Sequence, residues 1–283
     1  HYTDKYSDEV AIAINRGFNI DFSEEAMYEV SMIPKEVTEE DRKLRLDLRD
    51  LPIISIDPVS AKDLDDGFTI KKLENGNFLL VSCTMDVSHY IKPGMHLFQE
   101  VLERSTSVYI GEVVIPMLPS VLSNGILSLN EGVDRLVKAY SMEVSPNGEV
   151  VNSRLTESVI KSRIKMTYDK VNDILKEGKV APEYEEHADT LRNLNKLALI
   201  LRKKRLKNGA IEFDRPELKV ILGDDGKVKD FSLRIQDLGE NLIEEHMLIT
   251  NETVDKFLEA HGFPCLHRVH AAPSADRLNE LLM

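Results

Sequence analysis

An acidic stretch in the first quarter of the chain has the residue types for metal-ion chemistry. Within ten residues it carries four aspartates, Asp57, Asp63, Asp65 and Asp66. Crowded carboxylates raise each other's pKa, and a bound divalent cation removes that repulsion. Because the stretch offers oxygen ligands without His or Cys, it favours Mg²⁺, Mn²⁺ or Ca²⁺ over Zn²⁺. The spacing therefore indicates a metal site of the kind that handles phosphate groups.

Two strand-like segments flank this acidic stretch. An apolar run at residues 51–56 leads into Asp57, and a second apolar run at residues 68–70 follows Asp66. Short apolar runs rich in β-branched residues are typical of strands. We therefore expect the aspartates to lie in a loop between two strands, where their carboxylates can converge on one point.

Two other interpretations compete with a phosphate-handling metal site. Asp-rich loops are often solvated turns, and the spacing alone leaves that interpretation equally open. A calcium-binding EF-hand loop would place Asp63, Asp65 and Glu74 at its first, third and twelfth positions. Its sixth position requires Gly, however, and Phe68 stands there. Because strands rather than helices are also predicted on both sides, we reject the EF-hand interpretation.

The composition is that of a folded globular protein. The chain has 283 residues, of which 42% are hydrophobic, enough for one large core or two smaller ones. Low-complexity segments are absent, and no apolar run approaches the length of a membrane span. Residues 1–5 show neither a signal-peptide pattern nor an initiator Met. We therefore expect the chain to begin inside a longer protein.

The charge balance is acidic. The net charge is −13, from 36 Lys and Arg residues against 49 Asp and Glu residues. Taken alone, this argues against a nucleic acid partner. Several of the acids belong to the predicted metal site, however, and residues 202–207 form a dense basic run. We interpret that run as a solvated helix end, because cations stabilise helix C-termini and Gly209 follows closely.

The two cysteines, Cys83 and Cys265, both lie among apolar residues and show no metal-ligand spacing. We interpret them as reduced, buried core residues, which is the usual state of cysteines in a cytoplasmic protein.

The pattern along the chain predicts an α+β fold. Strand pairs around Asn-Gly or Asp-Gly turns predict three hairpins, and the second strand of the first hairpin is expected to continue through residues 85–90. Helical periodicity and N-cap residues predict helices. They are expected at residues 7–14, from 23, from 38, and at 95–104, 168–176, 183–207 and 241–260. Neighbouring hairpins with long helices favour an α+β domain over a βαβ array.

The acidic stretch and the segments around it resemble the ribonuclease II/ribonuclease R (RNB) family, and within it bacterial ribonuclease R above all. Ile56-Asp57-Pro58 with residues 61–66 matches the family signature. Ser60 and Ser105 depart from it, standing where the family usually has an acid and a glycine. Supporting segments recur in the family's order from about residue 40 onward: residues 47–50, 86–90, 107–109, 116–119, 122–125, 128–130, 134–136, 162–163, 167–168, 242–245 and 268–270.

The resemblance implies an RNB-type catalytic domain with a mixed, largely antiparallel sheet and flanking helices. Residues 46–283 would form the N-terminal two-thirds of that domain, truncated on its C-terminal side. Residues 1–45 would be a helical linker segment that precedes it. The family's later phosphate-binding arginine and glutamate would then lie outside this sequence, so we expect the chain alone to be weak or inactive.

The resemblance also implies a chemistry. Family members are processive 3′→5′ exoribonucleases that use Mg²⁺ to hydrolyse single-stranded RNA to nucleoside 5′-monophosphates. By position, Asp57, Asp63 and Asp66 would hold one or two Mg²⁺ ions, with Mn²⁺ as a substitute. Asp65 would be the catalytic acid that helps to position the ion and the attacking water.

Further residues would contact RNA by the same resemblance. Tyr109 would stack on the 3′-terminal base, and Tyr168 would touch RNA near the channel entrance. One of Glu244 and Glu245 would contact a ribose 2′-OH. We favour Glu244, because it shares a helix face with Asn251.

The expected protein is a cytoplasmic monomer that binds single-stranded RNA, without a membrane segment or an obligate protein partner. Two alternatives remain at this point. One is a catalytically silent RNA-binding module of the same fold, and the other is a calcium-binding structural domain. The presence of all four aspartates favours the enzyme.

Overall fold

The computed structural model describes residues 6–111, 113–212, 217–223, 228–234 and 236–282. The described helices are α1 (Ser7–Asn15), α2 (Glu24–Met32), α3 (Glu39–Lys43), α4 (Val87–Tyr90), α5 (His96–Arg104), α6 (Ser120–Ser123), α7 (Tyr168–Glu177), α8 (Ala188–Lys207), α9 (Leu238–Ala260) and α10 (Ala275–Leu282). The described strands are β1 (Leu46–Asp47), β2 (Ile54–Asp57), β3 (Asp66–Lys72), β4 (Phe78–Met85), β5 (Val108–Ile110), β6 (Val113–Ile115), β7 (Asp134–Val144), β8 (Val150–Lys161), β9 (Ile164–Thr167), β10 (Glu217–Leu222) and β11 (Val228–Arg234). Among the described helices, none is both long enough and apolar enough to cross a bilayer.

Seven of these strands form one mixed sheet in the order β1-β8-β7-β4-β3-β2-β9. Its centre is antiparallel, from β8 through β7, β4 and β3 to β2. Both outermost pairings, β1 with β8 and β2 with β9, are parallel. Helices pack against this sheet, so the predicted α+β class, with a largely antiparallel sheet and flanking helices, is confirmed. The hairpins β5–β6 and β10–β11 form separate two-stranded sheets.

A hydrophobic core lies on each face of the sheet, because successive strand residues point to opposite sides. On β4, Val81 and Cys83 enter one core, which α2 and α5 help to cover. Phe78 and Leu80 enter the other, which α7, α8 and α9 cover. Each fully buried aliphatic side chain contributes about 1.5–3 kcal/mol. The sheet is therefore held from both sides.

Turn and cap residues set the element boundaries as the sequence predicts. Gly76 and Gly148 adopt positive φ values of 85° and 78°, which close the β3–β4 and β7–β8 hairpins at their Asn-Gly turns. Ser23 caps α2 with its side chain, and Thr38 forms a capping box with Asp41 at the start of α3. The first two predicted hairpins are present, and the strands of the third pair as β10 and β11, while most of its predicted turn at residues 223–226 lies outside the described residues. Helices lie at all the predicted positions.

One strand prediction is wrong. The strand expected to run through residues 85–90 ends at Met85, and α4 follows. The side chain of Asp86 is buried there, accepting hydrogen bonds from Arg45 Nη2 at 2.7 Å and from Ser88 Oγ at 2.8 Å. These bonds favour a turn at Asp86 over a further ladder residue. The helix predicted at residues 183–207 also begins differently, as a 3₁₀ helix at Pro182–His187 that continues into α8.

The two cysteines occupy different environments. Cys83 is buried on β4, as predicted, and burial raises the pKa of its thiol to about 12. Cys265 is exposed, so its assignment to the core is wrong. The chain leaves α9 at Ala260 and runs over the surface, where the apolar neighbours Phe263 and Leu266 are exposed too. An apolar sequence context therefore did not mean burial here.

Candidate active site

The acidic loop joins two inner strands of the large sheet. Strand β2 ends at Asp57 and strand β3 begins at Asp66, and the two strands pair antiparallel through Ile54 and Phe68. The connecting residues 58–65 therefore leave β2 and enter β3 at the same end of these two strands. This confirms the prediction that strands flank the loop. We call Asp57, Asp63, Asp65 and Asp66 the aspartate cluster.

The middle of the loop is fixed by a buried residue. Leu64 is only 3% exposed and lies in the core between the flanking aspartates Asp63 and Asp65. Its backbone N–H donates to Ser128 Oγ at 3.0 Å, and Ser128 Oγ donates to the carbonyl of Lys62 at 2.8 Å. The loop backbone is thereby tied to a neighbouring segment, which limits where the two aspartates can point.

A lysine supports the first half of the loop. Lys165 Nζ donates to the carbonyl oxygens of Val59 at 3.2 Å and Ala61 at 2.6 Å. Lys165 lies on β9, two residues before Thr167, which pairs with Asp57 in the parallel register. Sequence reasoning missed Lys165. Its role depends on the β2–β9 pairing, and the local sequence carries no signal for that pairing.

Gly67 allows the close packing beneath the aspartate cluster. A Cβ atom at this position would lie 2.8 Å from Ile53 Cγ2 and 3.1 Å from Leu129 Cδ1. Both neighbours are fully buried and have little room to move. A residue without a side chain is therefore required between Asp66 and Phe68.

The electrostatics of the cluster are those of carboxylates without sufficient counter-charge. Burial, and then the charges of Asp65 and Asp57, raise the pKa of Asp66 to about 7. Burial also raises the pKa of Asp57 to about 6, with Lys165 opposing the shift and Asp65 and Asp63 adding to it. Partial desolvation and the charge of Asp63 raise the pKa of Asp65. Each shift means that the fold holds a carboxylate where its charge is disfavoured.

The four carboxylates are neighbours, but their oxygens do not converge. In the part of the chain that the structure describes, no three of them lie with their ligand atoms within 4.8 Å of one another. Among the described residues, none of the four forms an ion pair with Lys, Arg or His. An oxygen-only donor set with raised pKa values and no paired cation fits a hard divalent ion. Bringing the oxygens together would require such an ion, because the carboxylates otherwise repel each other.

The two candidate RNA-contacting tyrosines lie on different elements. Tyr109 projects from the β5–β6 hairpin, where it pairs with Val114 and is 68% exposed. Tyr168 opens α7 directly after Thr167, the residue paired with Asp57. It is partly buried and packs against the position of Gly239. The structure therefore links Tyr168 to the aspartate cluster through the backbone and leaves Tyr109 open to a ligand.

The two candidate glutamates on α9 differ in their freedom. The side chain of Glu245 is 4% exposed and accepts a hydrogen bond from Arg205 Nη2 at 2.6 Å. The side chain of Glu244 is 39% exposed, and its distance to the same nitrogen is 3.5 Å. The neighbouring His246 packs edge-on against Phe68, two residues after Asp66, with ring centroids 5.7 Å apart. This contact places this part of α9 beside the strand that carries the cluster.

The basic run at residues 202–207 forms the C-terminal end of α8, as predicted. Arg202 binds Glu212 through two hydrogen bonds of 2.8 Å, and Lys204 pairs with Glu149 at 2.9 Å. Together with the bond from Arg205 to Glu245, these contacts neutralise much of the run within the molecule.

Comparison with known proteins identifies the family. The RNB domain family matches residues 45–283. The chain belongs to the RNB domain family. This RNB chain is 45% identical to ribonuclease R of Thermotoga maritima over 262 residues. The aligned region covers 92% of the chain and 37% of that protein. It is 41% identical over 263 residues to ribonuclease R 1 of Lactococcus lactis, covering 93% of the chain and 32% of that protein. The chain thus spans about a third of the length of these curated relatives.

Solved structures agree with this assignment. The RNB chain superposes on Mycoplasma genitalium RNase R in complex with ribose methylated single-stranded RNA with a TM-score of 0.90 and 26% identity. The match covers 97% of the chain and 42% of that protein. The predicted RNB-type fold is therefore confirmed. Yeast Ssd1, described as a pseudonuclease, shares the fold at a TM-score of 0.67 and 18% identity, over 88% of the chain and 30% of that protein.

Proposed function

We propose that this RNB chain is part of a processive 3′→5′ exoribonuclease that uses Mg²⁺ to hydrolyse single-stranded RNA to nucleoside 5′-monophosphates. The observation that carries the proposal is the aspartate cluster. The fold holds the four aspartates together where β2 ends and β3 begins, and the pKa values of Asp57, Asp65 and Asp66 are raised. A bound metal ion would offset the cost of ionising these carboxylates.

Each aspartate has a role in this proposal. Asp57, Asp63 and Asp66 hold one or two Mg²⁺ ions, or Mn²⁺ in their place. The bound ion supplies Lewis-acid polarisation of the scissile phosphate and eases deprotonation of the attacking water. Asp65, beside the anchored Leu64, orients that water and the ion. The Asp65 carbonyl accepts a hydrogen bond from the Met85 N–H at 3.2 Å, which fixes the backbone of Asp65.

The RNA contacts follow from exposure and position. Tyr109 offers an exposed ring for stacking on the 3′-terminal base, which contributes about 1–3 kcal/mol without sequence preference. Tyr168 contacts RNA near the channel entrance. Glu244 contacts a ribose 2′-OH, because Glu245 is buried against Arg205 and less available. The relatives support an RNA ligand, since Mycoplasma genitalium RNase R binds single-stranded and double-stranded RNA.

The proposal extends to the whole protein. Residues 46–283 supply the N-terminal two-thirds of an RNB catalytic domain, and residues 1–45, with α1 to α3, form the helical linker that precedes it. The protein acts as a cytoplasmic monomer without an obligate protein partner. Because the chain spans about a third of its relatives' length, we expect residues 1–283 alone to hydrolyse RNA weakly or not at all.

A second candidate function is a catalytically silent RNA-binding module. One observation favours it: the carboxylate oxygens of the aspartate cluster do not converge within the described residues. The fold itself does not exclude this alternative, because the pseudonuclease Ssd1 shares it. The two candidates differ in whether the aspartates act on RNA that is already bound.

The deciding experiment follows 5′-labelled single-stranded RNA on a denaturing gel with Mg²⁺. The protein, its Asp65→Asn variant and the control Asp173→Asn are compared, since Asp173 is an exposed aspartate outside the cluster. In a form extended beyond Met283 we expect shortening from the 3′ end that the control retains, that EDTA abolishes, and that Asp65→Asn slows at least about a hundredfold. Residues 1–283 alone should shorten the RNA weakly or not at all. RNA binding by fluorescence anisotropy without shortening, in this chain and in a form extended beyond Met283, would support the silent module instead.

A further inference from the structure

We propose that Asp255, Cys265 and His267 form a second metal site, selective for Zn²⁺ and separate from the aspartate cluster. Their ligand atoms, a carboxylate oxygen, a thiol sulfur and an imidazole nitrogen, all lie within 4.8 Å of one another. We call these three residues the Asp–Cys–His cluster. The proposal does not depend on the proposed nuclease function.

The chain reversal at the end of α9 creates this cluster. Helix α9 ends at Ala260, and Gly262 adopts a left-handed φ of 67°. The N–H of Gly262 donates to the Glu259 carbonyl, and the N–H of Phe263 donates to the Leu258 carbonyl, each at 3.0 Å. This is a glycine-terminated helix end. It turns the following segment back toward the last turns of the helix.

The segment after the turn presents two ligands to the helix. Cys265 and His267 are separated by Leu266, whose side chain is fully exposed. Both therefore face Asp255, which lies on α9 before the turn. His267 Nδ1 is 3.3 Å from Asp255 Oδ1, a separation that two ligands of one tetrahedral Zn²⁺ ion can have.

The donor set selects the metal. A thiolate and an imidazole are ligands that Zn²⁺ prefers and Mg²⁺ does not, and a carboxylate completes three of the four positions of a tetrahedral site. Glu259, one helical turn after Asp255, lines the same cavity of about 340 Å³. It can supply the fourth ligand directly or through water. The cavity is open to solvent, so an ion can enter without unfolding.

Metal binding would fasten a loosely held segment. Residues 263–270 are exposed. Their described contacts with α9 include the bond from Phe263 N–H to the Leu258 carbonyl and the contact between His267 and Asp255. A Zn²⁺ ion shared by the Asp–Cys–His cluster would add two strong links across the turn. It would therefore restrain the path of the chain beyond α9, the helix that also carries Glu244.

The test is a titration with Zn²⁺ in reducing buffer, with Mg²⁺ in excess to occupy the aspartate cluster. Co²⁺ serves as the spectroscopic probe, because a thiolate ligand gives it a charge-transfer band. The variants are Cys265→Ser and His267→Gln, and the control is His270→Gln, an exposed histidine on the same segment outside the cluster. We expect one ion per chain, a thiolate band, and at least about tenfold weaker binding in both variants.

Alkylation provides a second measurement. Cys265 is exposed and Cys83 is buried, so a thiol reagent under native conditions reports on Cys265. We expect Zn²⁺ to slow this reaction in the protein and in His270→Gln but not in His267→Gln. All three positions are exposed, so the variants keep the fold, which circular dichroism verifies. Absence of Zn²⁺ binding, or binding and protection unchanged in both variants, would overturn the proposal.

Discussion

The aspartate cluster and the Asp–Cys–His cluster place metal-ligand side chains in opposite physical settings. The aspartates lie on a loop fixed by the buried Leu64 and by hydrogen bonds from a neighbouring segment, yet their oxygens stay apart. The ligand atoms of Asp255, Cys265 and His267 converge, although Cys265 and His267 lie on an exposed segment after α9. Support by the fold and convergence of ligand atoms are therefore separate properties.

Charge explains the difference. The aspartates carry like charges that repel one another, whereas a carboxylate can accept a hydrogen bond from an imidazole. Convergence of the Asp–Cys–His ligand atoms therefore reflects attraction among the ligands themselves. A fixed backbone and raised pKa values show instead that the fold holds a site at a cost in free energy. Because the aspartate cluster has both, it is the stronger functional site of the two.

The largest expected difference between the two regions is in stability. Leu64→Ala removes a buried side chain at the centre of the aspartate loop and should lower the free energy of unfolding by about 2–5 kcal/mol. Leu266→Ala, between Cys265 and His267, removes an exposed side chain and should change it by less than about 0.5 kcal/mol. Urea unfolding monitored by circular dichroism measures both. Equal losses would show that the two segments are equally integrated into the fold.

Local sequence signals predicted much of this architecture. Asn75-Gly76 and Asn147-Gly148 specify hairpins because their turns need positive φ. The close spacing of the aspartates left a metal site and a solvated turn equally open, and the family resemblance favoured the metal site. The four aspartates could also be assigned roles through the family resemblance. These features depend on residues close together in the sequence.

Features that depend on distant residues could not be predicted. The parallel pairing of β9 with β2 places Lys165 under the aspartate loop across more than a hundred residues of sequence, and no local pattern encodes it. The exposure of Cys265 likewise depends on where the chain runs after Gly262. Its convergence with Asp255 and His267 depends on the same reversal of the chain at the end of α9.

The second expected effect is a gain in stability from neutralising the aspartate cluster. The pKa of Asp66 is raised to about 7 in the folded protein. Between about pH 4 and about pH 7, Asp66 is ionised in the unfolded chain but still protonated in the folded protein. The free energy of unfolding therefore falls as the pH rises through this range. Without metal, Asp66→Asn should therefore stabilise the protein by about 2 kcal/mol near pH 8, a value discounted for partial solvent exposure. Near pH 4 the gain should vanish.

Thermal unfolding at the two pH values in EDTA measures this gain, with the exposed Asp173→Asn as the matched control. Added Mg²⁺ should reverse the ranking, because the ion stabilises the parent protein and binds the variant more weakly. A destabilised Asp66→Asn at high pH in EDTA would mean that the carboxylate has a stabilising partner. The cost attributed to the aspartate cluster would then be wrong.

The smallest expected effect separates the two clusters by the pH dependence of Mg²⁺ binding. Below the raised pKa values of Asp57, about 6, and Asp66, about 7, protons compete with the ion for the carboxylates. Mg²⁺ affinity should therefore rise about tenfold as the pH increases from about 5.5 to about 7.5, a value discounted for partial solvent exposure as for Asp66→Asn. Isothermal titration calorimetry measures this rise, together with the protons released on binding.

Cys265→Ser should leave the profile unchanged, because Mg²⁺ has little affinity for the Asp–Cys–His cluster. A profile without pH dependence would show that the aspartates are fully ionised and fully solvated, and a profile altered by Cys265→Ser would show that the two clusters share one ion.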